Sequence, residues 1–282
     1  MCIRDRGKVL ALANQKGGVG KTTTAVNVAC NLAERGYRVL LIDLDPQGNA
    51  TSSVGLDKRA LDGTIYDLLV DGVDAEEIVV RDVRPQLDLI GANHLLAGAE
   101  IELTSLTRPQ MRLDAALTPI RDLYDVILID CPPSLGLLTV NGLVAADEVM
   151  IPVQCEYLAL EGLTQLINTV DLVKRGLNRR LDILGLVMTM YDSRTRLAGD
   201  VVRDVARLFP NRIFRTIVPR TVRLAEAPSH GRSIFEYDPG SRGAEAYREL
   251  GEEVAQRLGL CPAEGQGSDI PASEPIAGAL RD

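Results

Sequence analysis

The stretch Lys16–Thr24, with the sequence KGGVGKTTT, constrains this chain more than any other part of it. It follows an apolar run at residues 9–13 and precedes a helical pattern whose apolar side chains share one face: Ala25, Val28, Ala29 and Leu32. A strand, a glycine-rich loop and a helix in this order are the context of a phosphate-binding loop. Such a loop points backbone N–H groups and a helix N-terminus at a bound anion. The stretch therefore predicts a nucleotide-phosphate site.

The residue types within the loop predict separate contacts with a nucleotide. Gly17, Gly18 and Gly20 let the backbone fold closely around phosphate oxygens and adopt positive φ angles. Lys21 is placed to reach the β- and γ-phosphates, and the Thr22 hydroxyl is placed to bind Mg²⁺. We therefore expect a nucleoside triphosphate with Mg²⁺ at this loop.

A second lysine, Lys16, stands at the loop entrance, where most phosphate loops have none. KGGVGKTT resembles the deviant Walker A motif of the ParA/MinD group of P-loop ATPases. In that group the early lysine crosses a dimer interface and contacts the nucleotide of the partner subunit, so the resemblance implies an ATP-dependent homodimer. It also implies catalytic roles for Lys16 and Lys21. The implied nucleotide contacts are Lys16, Gly17, Gly18, Val19, Gly20, Lys21, Thr22 and Thr23.

Composition sets limits on the class of protein. The chain has 282 residues, of which 46% are hydrophobic and 25% charged, and this fits one large soluble domain with or without a tail. Its net charge of −8 means that any binding to nucleic acid must come from a local patch. The five cysteines form no CxxC pair and no signal peptide precedes them, so we expect reduced thiols in a cytoplasmic protein. No stretch is apolar and long enough to predict a membrane span.

Apolar runs alternate with helical patterns along most of the chain. Strands are predicted at Lys8–Ala13, Arg38–Ile42, Leu87–Ile90, Val126–Ile129, Glu148–Val153, Ile183–Met190 and Ile213–Ile217. Their near-continuous Val, Ile and Leu content is typical of strands covered on both faces. The pattern predicts an α/β fold: a doubly wound, mostly parallel sheet with helices on both faces, as in P-loop NTPases. The clearest helices are predicted at Leu160–Arg175 and Arg242–Leu258.

Three segments are predicted along the chain. Residues 1–7 form an N-terminal extension, and its first six residues, MCIRDR, could be encoded by a sequencing adapter rather than by the native gene. Residues 8–260 form the ParA-type P-loop ATPase domain. Residues 261–282 form a disordered tail, because the last 21 residues hold three Pro and three Gly with few large apolar side chains.

Carboxylates follow two of the predicted strands. Asp43 and Asp45 lie two residues apart and therefore face the same side at the end of their strand. Asp130 ends the apolar run VILID, and such an aspartate in a P-loop protein holds Mg²⁺ through water. Capping and turn roles are the alternative for all three. The family resemblance implies that Asp45 positions the attacking water, and we expect Asp43 to support the magnesium shell.

The late segments TMYDSRT and VPRTVRLAEAPSHG also resemble ParA proteins. The resemblance places the adenine base against Pro219 and Thr221, although asparagine is more usual at the second position. It implies non-specific DNA contacts for Arg194 and Arg223. Between residues 192 and 232 there are nine Arg and four acidic residues, so this segment is basic within an acidic chain. A solvated arginine-rich helix face is the alternative interpretation.

Taken together, the motifs predict an ATPase of the ParA/Soj type that partitions a chromosome or plasmid. The resemblance implies Mg-ATP as cofactor, a nucleotide sandwich dimer, non-specific DNA, a ParB-type stimulating partner and a nucleoid-associated cytoplasmic location. Alternatives are a ParA-like ATPase that positions a protein cargo and a MinD-like membrane-associated ATPase. The second requires a basic amphipathic C-terminal helix, which residues 262–282 do not resemble. A dethiobiotin synthetase-like enzyme and a nitrogenase-type iron–sulfur reductase fit the arginines and cysteines less well.

Overall fold

Residues 6–156 and 159–261 are described in the structure, a computed structural model. The strands are β1 Lys8–Leu12, β2 Val39–Asp43, β3 Val80–Arg84, β4 Leu87–Ile90, β5 Val126–Asp130, β6 Glu148–Gln154, β7 Asp182–Tyr191 and β8 Ile213–Pro219. The helices are α1 Lys21–Glu34, α2 Asn49–Ser53, α3 Ala75–Ile78, α4 Leu96–Leu103, α5 Arg112–Leu117, α6 Leu137–Ala145, α7 Ala159–Gly176, α8 Arg196–Leu208, α9 Val222–Glu226, α10 Ile234–Tyr237 and α11 Arg242–Leu258. Shorter helical turns lie at Asp67–Asp71, Pro109–Met111, Arg121–Leu123 and Ala227–His230.

All eight strands form one sheet in the order β3-β4-β2-β5-β1-β6-β7-β8. Every pairing is parallel except β3 with β4, so the predicted doubly wound, mostly parallel fold is confirmed. The seven predicted strands are all present: Leu87–Ile90 has the predicted ends, and the ends of the other six differ by at most two residues. The eighth, β3, has the sequence VRDVR and lies half-exposed at the sheet edge, where no continuous apolar run is needed.

Helices cover both faces of the sheet, and alternate residues of each strand belong to different cores. In β1, Val9 and Ala11 pack into the core under α4 to α8, whereas Leu10 and Leu12 pack into the core under α1 and α9 to α11. These four residues are fully buried. Burial of one leucine side chain contributes about 1.5–3 kcal/mol, so this central strand fixes the sheet between its two helical layers.

The sheet order brings the carboxyl ends of β2, β5 and β1 side by side. In the register, Asp130 at the end of β5 lies opposite Asp43 on one neighbouring strand and Leu12 on the other. The phosphate-binding loop follows β1 directly and leads into α1. The fold therefore places the loop and two of the predicted carboxylates at one edge, as a doubly wound sheet does for its ligands.

Three of the five cysteines, Cys30, Cys131 and Cys155, are buried free thiols. Cys261 is disulfide-bonded, so the expectation of reduced thiols is wrong for that residue. Most of the predicted tail, residues 262–282, lies outside the described part of the chain, as do residues 1–5 of the predicted extension. Within the described part, no helix is long and apolar enough to cross a membrane.

Candidate functional site

The phosphate-binding loop adopts backbone angles that only some of its residues tolerate. Gly18 has φ +73° and Gly20 has φ +86°, and Gly20 caps the N-terminus of α1 in the left-handed conformation. A side chain at either position would be strained. A Cβ atom at Gly17 or Gly18 would meet no protein atom within 4 Å, so the space above the loop is open. That space suits a phosphate group, which must approach the backbone N–H groups closely.

Two buried side chains that the sequence did not point to hold the loop in place. Asn14 accepts a hydrogen bond from the Lys16 N–H at 3.0 Å and donates to the Pro152 carbonyl at 2.7 Å. Thr189 of β7 donates its hydroxyl hydrogen to the Val19 carbonyl at 2.8 Å. The bonds from Asn14 to Pro152 and from Thr189 to Val19 span 138 and 170 residues of chain, so no local pattern could reveal them.

The two loop lysines have different surroundings. Lys21 is only 6% exposed and its ammonium group points back to the Lys16 carbonyl at 3.4 Å. Burial lowers the pKa of Lys21, and the carboxylate of Asp130 partly opposes that effect. The Lys16 ammonium group is more exposed and pairs with Glu156 at 2.9 Å. Lys21 thus lies inside the site, whereas Lys16 lies at its outer rim.

Asp130 is a fully buried carboxylate at the centre of the site. Neither of its oxygens has a hydrogen-bond partner among the described residues. Burial raises the pKa of Asp130, and the nearby Asp43 adds to this effect, while Thr22 and Lys21 partly offset it. A buried carboxylate without a partner is costly, which indicates that a cation or its waters complete this site.

The two aspartates that follow β2 are also buried but have partners. Asp43 accepts hydrogen bonds from the Thr51 N–H at 2.8 Å and the Thr51 hydroxyl at 2.7 Å. Burial raises the pKa of Asp43 to about 6, although the hydrogen bonds from Thr51 act to lower it. Asp45 is 6% exposed and accepts a hydrogen bond from the Gln47 N–H at 2.9 Å. Asp43 is therefore tied to α2 by Thr51, a residue the sequence did not single out.

The donor set fits a magnesium ion that also binds nucleotide phosphates. Mg²⁺ is usually held by one or two carboxylates, waters and phosphate oxygens rather than by a cage of protein ligands. Asp130 offers two oxygens that have no hydrogen-bond partner among the described residues, and the Thr22 side chain lies near them. No cluster of three or more His, Cys, Asp or Glu residues capable of holding a metal occurs in the described part of the chain. The site thus suits an ion that arrives together with its nucleotide.

A cavity of about 520 Å³ opens beside the phosphate-binding loop. Its walls join the loop to the segment after β8, where Pro219 and Thr221 were predicted to hold the base. The lining residues are Gly20, Thr23, Thr189, Met190, Arg194, Val218, Pro219, Arg220, Thr221, Val222, Leu224, Ala225 and Tyr247. The Thr221 hydroxyl accepts a hydrogen bond from the Arg223 N–H at 3.2 Å and so caps α9. The mainly apolar walls suit a flat heterocycle.

One of the two predicted DNA-binding arginines, Arg194, lines this cavity, and the other, Arg223, lies between the lining residues Val222 and Leu224. The Arg194 side chain is 85% exposed and pairs with Asp192 at 2.7 Å. The Arg223 side chain is 54% exposed and pairs with Glu226 at 3.1 Å and Asp238 at 3.3 Å. Exposed ion pairs are weak, so phosphate groups can replace these carboxylates at small cost.

Comparison with known proteins identifies the family. A family profile described as an AAA domain matches residues 7–183. The sporulation initiation inhibitor protein Soj of Bacillus subtilis (strain 168) is 54% identical over 249 residues, which cover 88% of this chain and 98% of that protein. The chain belongs to the ParA/Soj family. The chromosome partitioning protein ParA of Myxococcus xanthus (strain DK1622) is 49% identical and covers 89% of each chain. The predicted family of chromosome-partitioning ATPases is confirmed.

Solved structures support the same ParA/Soj fold. Cobyrinic acid a,c-diamide synthase from Mycobacterium smegmatis, with bound ATP analog and magnesium, has a TM-score of 0.79 and 40% identity, covering 90% of this chain and 96% of that one. A putative plasmid partition protein from Borrelia burgdorferi, bound to AMPPNP, has a TM-score of 0.74 and 26% identity, covering 89% of this chain and 100% of that one. The expected P-loop NTPase fold is thereby confirmed.

Proposed function

We propose that this ParA/Soj family member is an ATP-driven switch that attaches to DNA and segregates a chromosome or plasmid. One observation carries the proposal: the phosphate-binding loop, the buried Asp130, whose oxygens have no hydrogen-bond partner among the described residues, and two exposed arginines lie along one edge of the sheet. A protein with this arrangement can bind a nucleotide at the loop. Exchange of ATP for ADP there can then change how the nearby arginines are exposed.

In this proposal ATP binds with its phosphates in the loop and its base in the cavity near Pro219 and Thr221. Lys21, buried beneath the phosphates, neutralises part of their charge. Thr22 and Asp130 would hold Mg²⁺, with Asp43 supporting them, and the ion would supply charge neutralisation between the phosphates. These assignments rest on the position of each side chain at the loop.

ATP hydrolysis in this proposal depends on Asp45 and on Lys16 of the opposite subunit. Asp45 is buried close to Asp43 and Asp130, and it orients the attacking water as a base or hydrogen-bond acceptor. Two triphosphates at a dimer interface repel each other unless cations lie between them, and the rim position of Lys16 suits that role. Loss of the γ-phosphate removes the group that both lysines bind, so the dimer separates.

The dimer then carries two copies of Arg194 and Arg223 on its surface. Contacts to phosphates are independent of sequence and weaken steeply with salt, because binding releases counterions. Two linked copies bind more tightly than one, because the second contact becomes intramolecular. Attachment to DNA would place the protein on the nucleoid in the cytoplasm. A ParB-type protein would be the partner that stimulates hydrolysis.

The proposal is tested by fluorescence anisotropy of a labelled random-sequence DNA duplex with Mg-ATP and with Mg-ADP. Four arginine contacts in a dimer predict a slope of about −3.6 for the logarithm of the association constant against the logarithm of salt concentration. Binding that requires ATP and shows a slope of this order supports DNA partition. Absence of binding in every nucleotide state favours a protein cargo, and binding to anionic vesicles instead favours the membrane-associated alternative.

A further inference from the structure

Helix α10, Ile234–Tyr237, lies between the nucleotide site and the arginine proposed to bind DNA. We propose that α10 transmits the nucleotide state of the phosphate-binding loop to Arg223, with Asn27 and Tyr237 as positioning residues. The inference rests on the DNA contact proposed above for Arg223. It adds the route by which one site affects the other within a single subunit.

Asn27 connects the phosphate-binding loop to the start of α10. It lies on α1, one turn after Thr23, and donates a hydrogen bond to the Thr23 carbonyl at 2.7 Å. Its side-chain oxygen accepts a hydrogen bond from the Ile234 N–H at 2.8 Å. The Asn27 side chain is buried, with 4% of the residue exposed, so both bonds are shielded from water. A buried bond of this kind is costly to leave unmade, and displacement at Thr23 therefore acts on α10.

A second contact links α10 to the segment that follows Asp45. Arg84 of β3 donates to the Val54 carbonyl at 3.1 Å, just after α2, and to the Gly231 carbonyl at 3.1 Å. The same guanidinium pairs with Glu236 of α10 at 2.8 Å. The Arg84 side chain is 15% exposed, so these contacts are largely sheltered. Helix α10 is thus held from both the phosphate-binding loop and the segment after the proposed catalytic aspartate.

The far end of α10 sets the position of Arg223. The Tyr237 hydroxyl donates to Glu226 at 3.0 Å, and the same carboxylate oxygen accepts from the Arg223 guanidinium at 3.1 Å. Asp238, the residue after α10, pairs with Arg223 from another side at 3.3 Å. A shift of α10 therefore changes how firmly these two carboxylates hold the arginine, and so how available it is to a phosphate group.

These contacts form one continuous path from Thr23 through Asn27, α10 and Glu226 to Arg223. Coupling between two sites is a free energy that both sites share, and removal of one link lowers it without removing either site. A positioning role of this kind differs from a purely structural role. Substitution of a positioning residue changes the response to nucleotide, whereas substitution of a purely structural residue changes stability alone.

Two variants each remove one link, and a third provides the control. Tyr237→Phe removes only the hydroxyl that binds Glu226, and Asn27→Ser removes the link to Ile234. Tyr66→Phe is the matched control, because Tyr66 donates a comparable bond to Glu102 at 2.9 Å and packs against the core on the other face of the sheet. Each protein is studied by hydrogen–deuterium exchange over residues 222–238 and by DNA anisotropy, both with Mg-ATP and Mg-ADP.

In the wild type and the control, we expect ATP to change deuterium uptake over residues 222–238. In Tyr237→Phe and Asn27→Ser that nucleotide effect is lost, while binding of a fluorescent ATP analogue is retained. The ratio of DNA affinities with ATP and ADP falls by about fivefold, the lower end of typical coupling between sites. An unchanged nucleotide effect in Tyr237→Phe overturns the inference, even if Asn27→Ser does not fold. Wild-type protein that binds no DNA would refute the proposed function, while the exchange data would still decide the route.

Discussion

The Lys16 ammonium group lies 2.9 Å from the Glu156 carboxylate, and these two residues are 140 positions apart in the sequence. The side chains are 36% and 49% exposed, so the pair stabilises the fold by about 1 kcal/mol or less. The contact therefore holds Lys16 at the rim of the loop without preventing it from binding a phosphate group. A lysine in this position is available to a second subunit.

We expect Lys16→Ala to abolish ATP-dependent dimerisation while ATP binding persists, because Lys21 and the loop backbone remain in place. Light scattering with and without Mg-ATP measures the molecular mass directly. Lys58→Ala is a suitable control, since the Lys58 ammonium group binds the Gln47 carbonyl at 2.6 Å, two residues after Asp45. Unchanged dimer formation in Lys16→Ala would reject the role across the subunit interface.

Asp45→Ala is expected to bind ATP and accumulate as a dimer with little turnover. The substitution removes the acceptor that orients water and leaves Asp130 and Thr22 intact. Loss of such a group typically slows hydrolysis by about 10²–10⁴-fold. Phosphate release gives the turnover rate, and the exposed Asp57→Ala variant gives the reference rate. Turnover at the wild-type rate would remove Asp45 from the mechanism.

Arg223→Glu should lose ATP-dependent DNA retention and keep its affinity for nucleotide. The substitution replaces a positive contact with a repulsive one in each subunit of the dimer. Arg207→Glu is the matched control, because Arg207 is exposed on α8 and paired with Asp204 in a similar way. Equal DNA retention by Arg223→Glu and wild type would place the DNA-binding surface elsewhere.

The bond from Thr189 to Val19 makes a separate prediction about the loop. Thr189→Val keeps the shape of the side chain but leaves the Val19 carbonyl without its buried donor. We expect a loss of about 1–3 kcal/mol in the free energy of unfolding and weaker ATP binding. Thermal denaturation and titration with a fluorescent ATP analogue measure the two effects. Thr118→Val, an exposed site where the hydroxyl binds its own helix, should change neither.

The buried carboxylate of Asp43 predicts a dependence of stability on pH. Burial raises the pKa of Asp43 to about 6, so the folded state retains a proton that the unfolded state has already released. The contribution of this residue to stability therefore falls as pH rises from about 4 to about 6, and then levels off. In nucleotide-free protein, the Tm of Asp43→Asn relative to wild type should increase across this range. A constant difference in Tm between pH 4 and pH 7 would contradict the raised pKa.

The residues that could be predicted from sequence are those whose chemistry is local. The loop glycines, Lys21 and Thr22 form one short motif, and Asp43 and Asp130 end apolar runs that are recognisable as strands. Their meeting at one edge follows from parallel strand order. The family resemblance supplied the expected roles of Lys16 and Arg223, which no spacing rule alone would assign.

The features that sequence could not reveal depend on contacts between distant segments. Asn14, Thr51 and Thr189 are ordinary polar residues in the sequence, and only the folded chain pairs them with Pro152, Asp43 and Val19, respectively. Strand β3 was missed because its charged edge lacks a continuous apolar run. The ion pairs of Arg223 were equally hidden, since Asp238 reaches it from beyond α10.

Nucleotide-controlled attachment is tested by identifying the molecular species that carries DNA. Sedimentation velocity with a fluorescent random-sequence duplex follows protein mass and DNA together in Mg-ATP and in Mg-ADP. We expect DNA to sediment with a dimer in ATP, and we expect Lys16→Ala to remove both the dimer and the bound DNA. Equal DNA binding by a monomer in ADP would show that ATP-driven dimerisation does not control attachment to DNA.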